Sequence, residues 1–349
     1  MLFFYLSYIY FMSKKKTGIL LINLGSPKDL TKKSVREYLK VFLSDDYVLD
    51  LPKILQQLIL RVFILPFRPK NTLEAYEQIW TPEGSPLILS TESIAKKLSS
   101  KTGWDVDFAM RYEDPSIENA LLNFKNKGIN KIIVISLYPH NAMATTITTE
   151  METRIVANKV SEDFELTFTK PFFDNEIYIN AVSNSIKPFI EKASFDKIIF
   201  SYHGIPKRQA KKTDETGEHC FSTGNCCEVE GAGSKDCYRS HTRIASDLTA
   251  KKLGLNDDQW EVAYQSRLGP GWLTPFTDRR LAELPEEGKN NIAVLCPSFI
   301  SDCLETLEEI DIRGRKTFFD AGGKNMTYIP CLNDSEDTIT LLENLVKSS

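Results

Sequence analysis

Two nucleotide signatures are missing from this sequence. It has no G-x-G-x-x-G and no G-x-x-x-x-G-K-[ST], so neither a dinucleotide site nor a P-loop is supported. There is no excess of positive charge. The 43 Lys and Arg stand against 47 Asp and Glu, a net charge of -4, which leaves no field to attract a nucleic acid. Long hydrophobic runs are also absent. Only the opening MLFFYLSYIYF is strongly apolar, and it falls short of the roughly 20 residues a spanning helix needs. It lacks the basic start and small-residue cleavage site of a signal peptide. The expected reading is a true start at Met12, before SKKKTG, with an interfacial anchor as the alternative. The expected location is the cytoplasm, with peripheral contact at the inner membrane. Histidine is scarce, at four residues. Seven cysteines are too few in 349 residues for a secreted disulfide scaffold, yet four of them share one short segment. No repeat of fixed short period is visible.

What is present is strand–helix alternation. GILLINLG from Gly18, KIIVISLYP from Lys131, KIIFSYHG from Lys197 and NIAVLCPSF from Asn291 are continuous Val/Ile/Leu blocks. Such blocks suit parallel strands buried on both faces. Between them, Val35, Tyr38, Leu39, Phe42 and Leu43 recur at helical spacing, and residues 116–127 and 240–253 read the same way. The length suits two domains, and the pattern predicts an α/β fold with parallel sheets. Ligands in such folds sit beyond the carboxyl ends of strands. That directs attention to Asn23, Ser26, Tyr138, His140, Tyr202, His203 and the segment from Ser298 to Glu305.

Three of these features carry chemistry. His203, in SYHGIP, stands at a strand end where Gly204 and Pro206 make a tight exit, so the imidazole is expected in a cleft. SDCLETLEEID supplies Asp302, Glu305, Glu308, Glu309 and Asp311. On an α-helix capped by Ser301 or Asp302, Glu305 and Glu309 share a face and Glu308 turns away. The row is either a solvated first turn, which the helix dipole favours, or a path for a hard cation or protons. Finally, Cys220, Cys226, Cys227 and Cys237 are spaced C-x₅-C-C-x₉-C in a loop loosened by Gly224, Gly231 and Gly233. Four thiolates fit Zn²⁺ or an iron–sulfur cluster, with His219 as a substitute ligand. Adjacent cysteines are awkward for one tetrahedral ion and more natural where two irons share the ligands. Cys296, Cys303 and Cys331 read as buried or cleft thiols.

After residue 16 the sequence resembles the ferrochelatases over nearly its whole length. The resemblance rests on INLGSP (22–27), VREYLKVFLSD (35–45), EGSPL (83–87), MRYEDPSI (110–117), SLYPH (136–140), SYHGIP (201–206), QSRLGPGWLTPFTD (265–278) and SDCLETLEEI (301–310), in order. It implies two Rossmann-like domains, 13–174 and 175–334, with a C-terminal helix 335–349 and a porphyrin cleft between the domains. It implies insertion of Fe²⁺ into a porphyrin, giving haem and two protons. His203 and Glu305 then face the macrocycle and the incoming Fe²⁺. Whether His203 takes the protons or binds the metal is left open. Tyr76, Ser85, Arg111, Tyr112, Trp272 and Glu309 carry over to the substrate pocket, with Arg111 and Arg68 candidates for a propionate. Leu51 to Phe67 matches a hydrophobic lip able to touch a membrane surface. The four cysteines resemble those of bacterial relatives with an internal [2Fe–2S] site. Two positions depart from the family: Cys303 where many relatives have histidine, and Arg313 where some have an acid. Protoporphyrin IX is the expected substrate. Coproporphyrin, a sibling chelatase using cobalt or nickel, and a haem-binding or iron–sulfur sensor are the alternatives.

Overall fold

The computed structural model describes residues 17–227 and 235–349. The apolar start with Met1 and Met12, and Gly231 and Gly233 of the cysteine segment, lie outside them. The first half contains β1 (Thr17–Asn23), β2 (Asp105–Met110), β3 (Lys131–Ser136) and β4 (Glu165–Phe168). Its helices are Lys32–Leu43, Lys53–Ile59, Arg68–Glu77, Pro86–Thr102, Ile117–Asn126 and Thr148–Val160. Helix Glu176–Ile190 leads into the second half, with β5 (Lys197–His203), β6 (Trp260–Gln265), β7 (Asn291–Leu295) and β8 (Asn325–Ile329). Helices Tyr238–Leu253, Thr277–Glu283, Arg315–Asp320 and Glu336–Lys347 flank it.

Each half is one four-stranded parallel sheet, and the strand orders correspond: β2-β1-β3-β4 and β6-β5-β7-β8. Strand β1 maps onto β5, so Asn23 and His203 end equivalent central strands. The apolar blocks explain this directly. In β1, six of seven residues are buried, and in β5 five of seven. The helices form where the sequence supplies both a face and a cap. Thr31 accepts the Ser34 N–H and opens Lys32–Leu43, which buries Val35, Tyr38, Leu39 and Leu43. Ser116 caps Ile117–Asn126 in the same way.

One hydrophobic cluster crosses the boundary, joining Ile19 and Ile135 of the first half to Phe200, Leu295 and Leu342 of the second. A fully buried side chain of that size contributes about 1.5–3 kcal/mol, so the halves are held against each other. Ser90 to Ser301 at 2.9 Å and Lys97 to the Asp334 carbonyl at 2.7 Å tie the same seam. Among the described residues no helix is long and apolar enough to cross a membrane.

Candidate active site and cysteine cluster

A cleft of about 930 Å³ opens beyond the carboxyl ends of β1, β3, β5 and β7. Both halves line it. Asn23, Arg68, Tyr138 and His140 come from the first, and His203, Ser266, Trp272, Glu305, Glu308 and Glu309 from the second.

His203 is placed by its backbone. Gly204 N–H donates to the Gln265 carbonyl at 2.8 Å. A Cβ on Gly204 would stand 2.7 Å from that oxygen and 3.3 Å from the Trp272 ring, so glycine is required for the close approach. Lys207 N–H to the Gly271 carbonyl (2.8 Å) and Leu273 N–H to the Ile205 carbonyl (3.0 Å) then staple the Trp272 loop beside the histidine. The His203 Nδ1 lies 2.7 Å from the Gly204 carbonyl. A carbonyl only accepts, so Nδ1 is the donor, and in the neutral ring it is Nε2 that keeps the lone pair.

The acidic segment departs from its expected form. Only Leu304–Thr306 is α-helical, and Leu307–Gly314 winds as a π-helix. Gly314 makes room for the wide turn: a Cβ there would stand 3.0 Å from Leu281 and 3.2 Å from the Glu309 carbonyl. With this winding Glu308 does not turn away. It lines the cleft with Glu305 and Glu309, but it is tied to Arg313 at 3.1 Å. The helix cap is Cys303, rather than Ser301 or Asp302. Asp302 faces inward, where Tyr328, Thr306 and Asn333 donate to it, and Asp311 pairs with Arg315. The row of carboxylates thus reduces to three on the cleft wall; Glu308 is in an ion pair, Glu309 is held by Ser266, and Glu305 has neither, though the Arg68 charge acts on it.

Glu309 accepts the Ser266 N–H at 2.7 Å and its hydroxyl at 2.5 Å. Burial still pushes its carboxyl above the ordinary value, against those bonds and the nearby charges of Arg313 and His203. Ser266 adopts φ 62°, in the left-handed region, to aim both donors. Gln265 Nε2 donates to the Glu305 carbonyl at 2.7 Å, while its Oε1 accepts from Ser201 at 2.8 Å. Gln265 and Ser266 were quoted in the sequence only as landmarks, and their positioning roles are visible only in three dimensions.

Four expected pocket residues are not on the cleft wall. Arg111 and Tyr112 both bond Asp45 Oδ2, at 2.7 and 2.9 Å, in a buried network with Thr148. The Asp45 charge, 6% exposed, requires that partner, which holds Arg111 away from the cleft wall. Ser85 bonds Ser26 at 2.5 Å, and Tyr76 is buried behind the wall, where burial raises its phenol.

The four cysteines come together as two sulfur pairs that a Cys227–Cys237 hydrogen bond joins. Cys220 and Cys237 sulfurs are 3.9 Å apart, and those of Cys226 and Cys227 4.0 Å. All are free thiols, and three are buried. A hydrogen bond from Cys227 draws the Cys237 thiol down to about 6. The Arg239 guanidinium lies 3.7 and 3.6 Å from the Cys226 and Cys227 sulfurs. His219 bonds the Cys226 carbonyl instead of facing the sulfurs. Among the described residues no group of three or more His, Cys, Asp or Glu forms a site for one metal ion.

Comparison with known proteins follows the same lines. The family described as Ferrochelatase matches residues 16–349. A protein named Ferrochelatase from Stutzerimonas stutzeri (strain A1501) is 41% identical over 331 residues, covering 94% of this chain and 96% of its own. A ferrochelatase from Opitutus terrae is 40% identical over 335 residues, covering 95% and 97%. Among solved structures, the sirohydrochlorin chelatase SirB from Bacillus subtilis subspecies spizizenii in complex with cobalt matches with TM-score 0.54 at 11% identity, covering 95% of this chain and 94% of its own. At that identity the likeness speaks for the fold alone.

Proposed function

The chain belongs to the ferrochelatase family, and from that premise we propose that it inserts Fe²⁺ into protoporphyrin IX with His203 as the proton acceptor. The observation that carries this reading is the engaged Nδ1 of His203, which leaves a bare Nε2 in the cleft with Glu305 and Glu309. Metallation releases two protons from nitrogens that lie in the ring plane. Binding must distort the ring to expose their lone pairs, and a base must then take the protons. A neutral imidazole suits the second task. Glu309, with its raised carboxyl, is suited to pass a proton onward, and Glu305 is the carboxylate left free for Fe²⁺. On this reading Glu305→Gln lowers kcat about 100-fold, and Glu308→Gln, which removes only a partner of Arg313, less than about fivefold. Equal losses in the two variants would contradict the division of roles.

The choice of protoporphyrin is supported by charge. Of the three arginines on the cleft wall, Arg267 pairs with Asp278 and Arg313 with Glu308. Arg68 makes no ion pair among the described residues. One guanidinium without an ion-pair partner, although Glu305 and Glu309 act on its charge, suits the two propionates of protoporphyrin better than the four of coproporphyrin. The lip supports delivery from a membrane surface in the cytoplasm: Ile54, Phe63 and Phe67 are 88%, 63% and 72% exposed. The test is anaerobic Fe²⁺ insertion with each porphyrin, free and in phospholipid vesicles. Expected is a kcat/KM at least about tenfold higher for protoporphyrin, with turnover from vesicles sustained. Preference for coproporphyrin, or cobalt insertion into sirohydrochlorin outrunning both, would displace the reading. Tight haem binding without turnover would point to a sensor.

The convergence of the four sulfurs supports a [2Fe–2S] centre, which Cys220, Cys226, Cys227 and Cys237 would hold. When bound, such a centre supplies a one-electron couple and a covalent cross-link. The residues themselves bring Cys237 to the start of helix Tyr238–Leu253 and set Arg239 against Cys226 and Cys227.

A further inference from the structure

The end of β5 has a packing problem. Pairing between β5 and β7 stops at Phe200 opposite Leu295, three residues before His203. Gly204 is held from the other side by β6. The backbone N–H and C=O of His203 therefore need partners that the β5–β7 ladder does not reach. Two hydroxyls supply them. The N–H donates to Ser298 Oγ at 3.1 Å, and Tyr238 donates to the C=O at 2.8 Å. Tyr238 and Ser298 hydroxyls are themselves 3.0 Å apart, which closes a ring of bonds around the peptide of His203. The Tyr238 side chain is buried, so water does not substitute readily for its hydroxyl.

Tyr238 is the first residue of its helix, directly after Cys237. The first turn of that helix is fixed by more than the cysteine. His241 Nε2 bonds the Lys235 carbonyl at 2.7 Å. Its Nδ1 accepts the Asn141 N–H at 3.2 Å, and Asn141 Nδ2 donates to the Asp236 carbonyl at 3.2 Å. His241 also stacks on Phe173, with centroids 3.7 Å apart. Residues 235–241 thus join three parts of the molecule: the cysteine pairs, the loop after β3 beside His140, and the peptide of His203.

We infer that Tyr238 is a positioning residue for His203, and that the state of the four cysteines reaches His203 through it. The first clause needs only the hydroxyl geometry. The second follows from adjacency, because Cys237 cannot shift without moving the turn that carries Tyr238. The inference rests on His203 being the acting base.

Tyr238→Phe keeps the ring and removes the hydroxyl. Expected is a fall in kcat of about tenfold with KM for the porphyrin within about twofold, because the imidazole is misaimed while the cleft wall is unchanged. Ser298→Ala, which removes the other hydroxyl, should act in the same direction. Amide hydrogen exchange at His203–Ile205 should quicken in both. Cys226→Ser breaks the cysteine set without touching Cys237. It should quicken exchange at the same three amides and lower kcat about tenfold in the natural background. In the Tyr238→Phe background it should add less than about twofold, since the route is already cut. Should Cys226→Ser not accumulate as folded protein, removal of metal from the natural protein with a chelator takes its place.

Natural kcat and natural exchange in Tyr238→Phe would overturn the positioning role. Additive losses in the double variant, or unchanged exchange after cysteine loss or chelation, would overturn the transmission. His203→Ala separates this inference from its premise. Activity surviving there removes the premise, while activity lost there with Tyr238→Phe unaffected removes only the inference.

Discussion

His203→Ala is expected to lower kcat for metallation by at least about 10³-fold, while thermal unfolding stays within a few degrees of the natural protein. The two halves of that expectation come from different bonds. The fold is held through the backbone of residue 203, whose N–H and C=O are taken by Ser298 and Tyr238, and alanine keeps both. The side chain itself is only half-buried. Its ring touches the edge of Phe299 at 6.3 Å and bonds the Gly204 carbonyl, so its loss enlarges the cleft more than it opens the core. The chemistry loses the Nε2 lone pair, and no other wall residue replaces it. His140 shares the cleft, but it is 2% exposed, and burial holds its ring well below the ordinary histidine value. Its ring nitrogens are shut away behind Phe173, Tyr178, Tyr202 and Tyr238. The check is Fe²⁺ insertion beside a melting curve. A folded variant with natural kcat would show that the protons leave by another route.

Why the cleft-wall positions of His203 and Glu305 were legible in sequence, while the place of Arg111 was not, has a physical answer. A buried parallel strand announces itself by composition, as KIIFSYH does, and the residue at its end has one direction in which to go. The same logic found β1, β3 and β7, whose apolar blocks match their described extents within a few residues. Arg111 also follows a strand end. Its fate, however, depends on Asp45, which the fold brings within 2.7 Å, and nothing local to MRYEDPSI reveals a buried carboxylate waiting for it. The acidic segment failed in a different way. Helical spacing presumes an α-helix, and the π winding that swings Glu308 to the wall depends on Gly314 packing against Leu281. Ser266 and Tyr238 were missed because their polar partners, Glu309 and the His203 peptide, are contributed by other elements.

The cysteine set carries the other large expectation. Protein prepared anaerobically with ample iron should be coloured and hold about two irons and two sulfides per chain, as a [2Fe–2S] centre requires. Replacing any one of Cys220, Cys226, Cys227 and Cys237 by Ser should bleach it, since a hydroxyl is a harder and weaker ligand for iron than a thiolate. The pairing gives the expectation its form. Sulfurs 3.9 and 4.0 Å apart within pairs, with Cys227 bonded to Cys237 between them, bring all four thiols together, so the loss of any one is expected to have the same effect. Cys296→Ser and Cys331→Ser should leave the colour unchanged. Both lie in the second-half core, where burial raises their thiols well above the ordinary value and away from the thiolate form a metal needs. Bleaching should also lower stability, because bonds to metal would cross-link Cys220, Cys226 and Cys227 to Cys237 at the start of helix Tyr238–Leu253, and metal binding energy there would be folding energy. Zinc analysis returning one ion per chain, or colourless protein whose four thiols titrate freely, would dismiss the cluster and leave His203 and Glu305 at their posts.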